Sequence, residues 1–182
     1  MNIDDITLIS GVGDREAKEL CVMSLTALIA NEPHGDHPVC ACPVLTAVAI
    51  SVNDANWWDS DAERTEVLKP LAQAMVGTRN AALELPRAKL FTDHALRVWA
   101  PAALEAAASV HPIEEHRNAL REHAAKLRVD GSADAAAAAR YAAAAADAAA
   151  AAAAAARYAD AARKELRGRV IAAIYEAIAL GN

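Results

Sequence analysis

Between residues 34 and 42 the chain carries four side chains able to bind a metal: His34, His37, Cys40 and Cys42. Imidazole and thiolate are the ligands that tetrahedral zinc takes. A segment with Pro33, Gly35, Pro38 and Pro43 has the irregular backbone that could wrap an ion. The spacing argues the other way. Zinc ligands usually come as two separated pairs with about two to four residues inside each pair, and Cys40-Ala41-Cys42 is tighter than that. The competing expectation is that His37 packs or caps and that Cys40 is a small buried apolar group. That structural reading is preferred, so no cofactor is expected, and zinc is the one the residues could admit.

Other groupings are weaker. His116 and His123 stand seven apart beside Glu115 and Glu122, a carboxylate–imidazole pattern that could move protons and that any charged helix surface also produces. Asp93-His94 has no serine or cysteine that the sequence places beside it, so a triad is unsupported. Gly11-Val12-Gly13 lacks the third glycine and the preceding strand of a dinucleotide fingerprint. Trp57-Trp58 is either a partner-binding anchor or the cover of a small core. No catalytic residue is expected, and the balance leans against an enzyme.

The elements that must position these residues read as helices. Apolar residues at Ala17, Leu20, Cys21, Leu25 and Leu28 predict a helix over Asp14 to Asn31, followed by a loop from Glu32 to Pro43. Pro43 suits the first turn of a second helix to about Asn53. That stretch is rich in β-branched residues, so a buried strand is the alternative, and helix is preferred because no partner strand is visible. Ser60 with Glu63 forms a capping box for a helix reaching Val76 and stopping at Gly77, with a kink or break at Pro70. Further helices are expected over Pro86–Trp99, with a break at Pro101, and from Pro112 to Asp130-Gly131. Ser132 then caps a final helix ended by Gly181, with a bend or break near Gly168.

That last helix is the dominant compositional feature. Ala135 to Ala162 is interrupted only by Arg140, Tyr141, Asp147, Arg157, Tyr158 and Asp160. Alanine has the highest helix propensity and loses no side-chain entropy. A continuous helix over residues 133–180 would extend about 70 Å. A membrane span does not fit: Asp147 at mid-bilayer would cost roughly 2.5–3.5 kcal/mol with no leucine nearby to offset it. Opposing the tract to a second copy, antiparallel about residue 149, sets Arg140 against Tyr158, Tyr141 against Arg157 and Asp134 against Lys164. Two cation–π contacts and an ion pair would fix the register of an otherwise slippery surface.

The formal net charge is −6 over 182 residues, and the imbalance is local. Residues 1–66 hold twelve carboxylates against Arg15, Lys18 and Arg64, a net −9. Such a chain lacks the basic footprint of a nucleic-acid binder. Three cysteines make no disulfide framework and the acidic first residues do not resemble a signal peptide, so a reduced, cytoplasmic protein is expected.

Leu20-Cys21-Val22-Met23, then Asp36-His37-Pro38-Val39-Cys40, Pro43-Val44, Asn53-Asp54, Leu68-Lys69-Pro70-Leu71 and Val76-Gly77-Thr78, resembles a set of uncharacterised proteins from actinobacteria and their phages. Those proteins also end in an alanine-rich region. The resemblance implies an accessory protein of phage or prophage origin and carries no activity.

Together these readings predict an all-α fold: an irregular bundle of five or six short helices followed by a long alanine-rich helix. An acidic head over residues 1–130 would precede the helix of residues 131–182, packed on the head or on a partner. The expected role is a non-catalytic interaction or scaffold protein that binds itself or a host protein. A small-molecule or zinc module built on residues 34–42 is the alternative.

Overall fold

A computed structural model describes residues 2–130 and 156–181. The fold is mostly helical, and its first segment is not. Thr7–Leu8 (β1), Gly13–Asp14 (β2) and Glu19–Leu20 (β3) form a three-stranded sheet in the order β1-β3-β2. β1 lies parallel to β3, with Leu8 level with Leu20, and β2 runs antiparallel to β3. The expected all-α class and the helix from Asp14 are therefore corrected. Gly11 (φ 75°), Gly13 (φ 78°) and Lys18 (φ 59°) hold left-handed backbone that a helix cannot contain. Ala17 is exposed, so the apolar stripe begins only at Leu20, which enters the core from a strand.

Helix α1 spans Val22–Ile29, α2 Pro43–Asp54 and α3 Asp61–Met75. Pro43 opens α2 as expected. Ser60 Oγ accepts the Glu63 N–H at 3.2 Å, and the Glu63 carboxylate accepts the Asp59 N–H at 2.9 Å, one residue earlier than in an ideal capping box. The expected break at Pro70 is absent. Pro70 lies on the exposed side of α3, where the carbonyl it leaves unbonded can be hydrated, while Leu68, Leu71, Ala72 and Met75 anchor both halves in the core.

Two compact units divide the chain: residues 1–89 with 171–182, and residues 90–170. In the first, α1 packs on α2, α3 and β3, and α3 packs on β1. The Thr65 hydroxyl joins sheet to helix by accepting the Leu8 N–H at 2.7 Å. Asn53 is fully buried and joins three segments. Its Oδ1 accepts the Val22 N–H, while its Nδ2 donates to the Ile9 carbonyl and to Asp54 Oδ1.

Helix α4 spans Ala81–His94, starting before the expected Pro86, and α5 spans Ala100–Val110. The expected break at Pro101 is replaced by a π turn over Ala95–Trp99, in which the Ala100 N–H bonds to the Ala95 carbonyl. One extra residue in the turn separates the proline ring from the carbonyl it would strike, and the helix continues. In the second unit α5 packs on α6 (Glu114–Val129) through Leu104, Ala108, Leu120, Ala124 and Leu127. Helix α7 spans Ala156–Ala179 and passes through Gly168 without interruption. The alanine tract over 131–155 and the expected boundary at 130/131 lie outside or at the edge of the described residues. Among those residues no helix is long and apolar enough to cross a membrane.

Candidate functional site

The loop from Glu32 to Cys42 is held by backbone bonds that begin at the end of α1. Asn31 takes φ 57°, the Asn31 N–H bonds to the Leu28 carbonyl at 3.1 Å and the Glu32 N–H to the Ala27 carbonyl at 2.8 Å. This is a Schellman turn with asparagine in the left-handed position. It aims the Glu32 side chain across the loop. One oxygen accepts the Val39 N–H at 2.5 Å and the other the Cys40 N–H at 2.8 Å, closing residues 32–40 into a ring. Arg15 Nη2 donates to the Glu32 carbonyl at 3.3 Å from the sheet side.

The closed loop is then joined to the turn after α3. The Arg79 N–H bonds to the Cys40 carbonyl at 3.0 Å, and the Cys42 N–H donates to Thr78 Oγ1 at 3.1 Å. Thr78 is anchored in turn, its hydroxyl donating to the Met75 carbonyl at 2.8 Å. Loops 32–42 and 77–80 thus form one stitched surface, flanked by exposed Val39 (76% exposed) and Val76 (36%).

Within this surface the four expected ligands take separate places. The His34 ring nitrogen Nε2 sits 3.2 Å from the Gly13 carbonyl, and His37 Nδ1 pairs with Asp36 at 2.6 Å. Cys42 is fully buried and precedes α2. Cys40 is partly buried between Glu32 and the Gly77 backbone. Among the described residues no group of three or more His, Cys, Asp or Glu side chains is arranged to hold a metal ion. Burial pushes the Cys40 thiol up, with the Glu32 carboxylate adding to the shift. Burial opposes ionisation of Glu32 as well, but the Val39 and Cys40 N–H groups and the Cys40 thiol outweigh it and hold that carboxyl below its ordinary value.

His116 meets His111 rather than His123. Their rings are edge-on with centroids 4.8 Å apart, and His111 Nε2 lies 3.4 Å from His116 Nδ1. His111 Nδ1 accepts the Ile113 N–H at 3.2 Å. Asp93 pairs with Arg97 at 2.6 Å, and the His94 ring lies 6.0 Å from that of Trp99. Gly11 and Gly13 serve the sheet turn, where Asp54 Oδ1 accepts the Gly11 N–H at 2.9 Å. Trp57 and Trp58 are half-buried in the turn between α2 and α3, and Trp58 Nε1 donates to the Val52 carbonyl at 3.0 Å. Of the expected dimer contacts, Asp134, Arg140 and Tyr141 lie outside the described residues, as do the side chains of Arg157 and Tyr158. Lys164 is exposed on α7.

One feature escaped the sequence reading. Arg87, within Pro86-Arg87-Ala88-Lys89, is 1% exposed. It borders a cleft of about 320 Å³ lined by the 77–80 loop, Leu83, Ile178 and Gly181. Nothing local in the sequence marks it, because its two acceptors lie 9 and 90 residues away. No family model, curated protein or solved structure matches the chain.

Proposed function

We propose that the chain acts by binding rather than by catalysis, as a helical interaction or scaffold protein. The observation that supports this best is the stitched surface of loops 32–42 and 77–80. Hydrogen bonds accepted by the Glu32 carboxylate and donated by the Arg79 and Cys42 N–H groups hold its backbone, and it leaves Val39 and Val76 open to solvent. A rigid loop pair presenting apolar side chains resembles a recognition surface. The acidic head adds selectivity toward a basic partner. Three free thiols, Cys21, Cys40 and Cys42, fit a cytoplasmic setting.

Self-assembly is the second half of the proposal. The interruptions of the alanine tract are symmetric about residue 149, so Arg140, Tyr141 and Asp134 of one copy would meet Tyr158, Arg157 and Lys164 of another, antiparallel. Light scattering on the full chain tests it. The expected result is a dimer of the 19.0 kDa chain that becomes monomeric in the Tyr141→Ala/Tyr158→Ala variant. A monomeric wild type, or a variant that stays dimeric, refutes the register.

A further inference from the structure

We propose that the cleft beside Arg87 binds a small aliphatic carboxylate. This goes beyond the interaction role above, because it assigns a ligand class and a place for it. The starting point is the guanidinium. Arg87 Nε donates to the Ala177 carbonyl at 2.9 Å and Nη1 to the Thr78 carbonyl at 2.7 Å. Both acceptors are neutral, and a cation with 1% exposure bears a desolvation cost that neutral carbonyls only partly offset. The Ala177 carbonyl belongs to the last turn of α7, so the negative end of that helix supplies part of the balance. The remaining edge of the guanidinium, Nη2, borders the cleft: a Cβ placed on Gly181 would come within 3.1 Å of it.

A second cation belongs to the same cleft. Arg79 lines the cleft and is half-exposed, with its Nε 4.0 Å from Glu84, a loose pair that an incoming anion can displace. Ala74, Val76, Leu83 and Ile178 add aliphatic surface to the same lining, with Leu83 beside the Arg87 guanidinium. The volume of about 320 Å³ falls at the small end of ligand pockets, which run from roughly 300 to 1,000 Å³. A cleft lined by two arginines and by aliphatic side chains complements a carboxylate on a short hydrocarbon chain. Inorganic phosphate would satisfy the arginines and leave the aliphatic wall wet. On a chain of net charge −6, this cationic cleft is a local reversal of sign.

Amide shifts of Gly77, Thr78 and Gly181, followed while the full chain is titrated with hexanoate, hexanamide or inorganic phosphate, test the proposal. Hexanoate is expected to saturate, and the other two to bind about tenfold more weakly or worse, as loss of one charge-assisted hydrogen bond or of the apolar contact implies. Gly181→Val, which extends a side chain toward Arg87 Nη2 and Leu83, is expected to weaken hexanoate by about tenfold or more with the circular dichroism spectrum unchanged. If Arg87 only clamps α7 to α4, no saturable shift appears. That result overturns the proposal, as does hexanamide or phosphate binding as tightly as hexanoate, or a folded Gly181→Val protein with unchanged affinity. Should Gly181→Val not fold, the ratio of hexanoate to hexanamide affinity on the wild type decides alone.

Discussion

The Glu32 carboxylate accepts the backbone N–H of Cys40 at 2.8 Å while lying beside the Cys40 thiol, so one side chain both shapes the loop and sets the character of its cysteine. Replacing it separates those effects. In Glu32→Gln the thiol loses a neighbouring negative charge and the loop loses its charge-assisted closure. Alkylation of Cys40 by iodoacetamide is expected to speed up severalfold, with Cys21 and Cys42 protected by burial. Unchanged labelling by mass spectrometry counts against this role.

Acid should open the same loop. Because the folded Glu32 carboxyl is held below its ordinary value, it contributes stability that is fully present above the unfolded carboxyl pKa. That stability is lost as pH falls through the folded value. Amide exchange at Val39 and Cys40 should therefore accelerate on acidification below the ordinary carboxyl range, relative to the intrinsic rate. In Glu32→Gln this step should be missing.

Asn53 offers the sharpest stability test in the first unit. Its removal leaves the buried Val22 N–H and the partly buried Ile9 carbonyl without their side-chain partner. Each such loss costs about 1–3 kcal/mol, so Asn53→Ala should lower unfolding stability by roughly 2–6 kcal/mol. Asn53→Asp keeps the acceptor but turns a carboxylate toward Ile9 O and Asp54, and should be no milder. Denaturant titration of the three proteins gives the comparison.

Two glycines should respond in opposite directions. A Cβ on Gly13 would lie 2.2 Å from the Glu19 carbonyl oxygen, at φ 78°, so Gly13→Ala must disrupt the β2–β3 pairing. At Gly168, within α7, nothing lies within 4 Å of the added carbon. Gly168→Ala should raise stability by roughly 0.5–1 kcal/mol through helix propensity. Thermal melts distinguish them: a lower melting temperature for Gly168→Ala contradicts the uninterrupted helix.

In the second unit, packing should outweigh charge. Arg128 grips Glu105 through two bonds of 2.5 and 2.7 Å, but both side chains are more than two-fifths exposed. Glu105→Gln should cost about 1 kcal/mol or less. Leu127→Ala removes a fully buried side chain from the α5–α6 seam and should cost about 2–5 kcal/mol. Equal losses in denaturant melts would show that the ion pair, not the leucine seam, joins the two helices.

Much of this architecture was legible in the residues alone. Pro43, the Ser60/Glu63 cap and the Pro112 and Asp130-Gly131 boundaries act within a few residues of themselves, so local chemistry determined α2, α3 and α6. The same locality explains the misreadings. Helical spacing from Leu20 to Leu28 extended falsely back to Asp14, because left-handed backbone at Gly13 and Lys18 is not written in a hydrophobic pattern. Pro70 and Pro101 looked like breaks because local rules assign the cost of a missing N–H but not its relief. Exposure relieves it at Pro70, and a π turn relieves it before Pro101.

The site divides along the same line. Sequence by itself determined that His34, His37, Cys40 and Cys42 share a proline-rich loop after α1. Only the tertiary structure decided that Glu32 closes that loop, that its cysteines bond through their backbone to Thr78 and Arg79, and that Arg87 is buried beside a cleft. The reason is physical. A side chain's type is local, whereas its burial and its hydrogen-bond partners depend on segments as much as 90 residues away that only folding brings near.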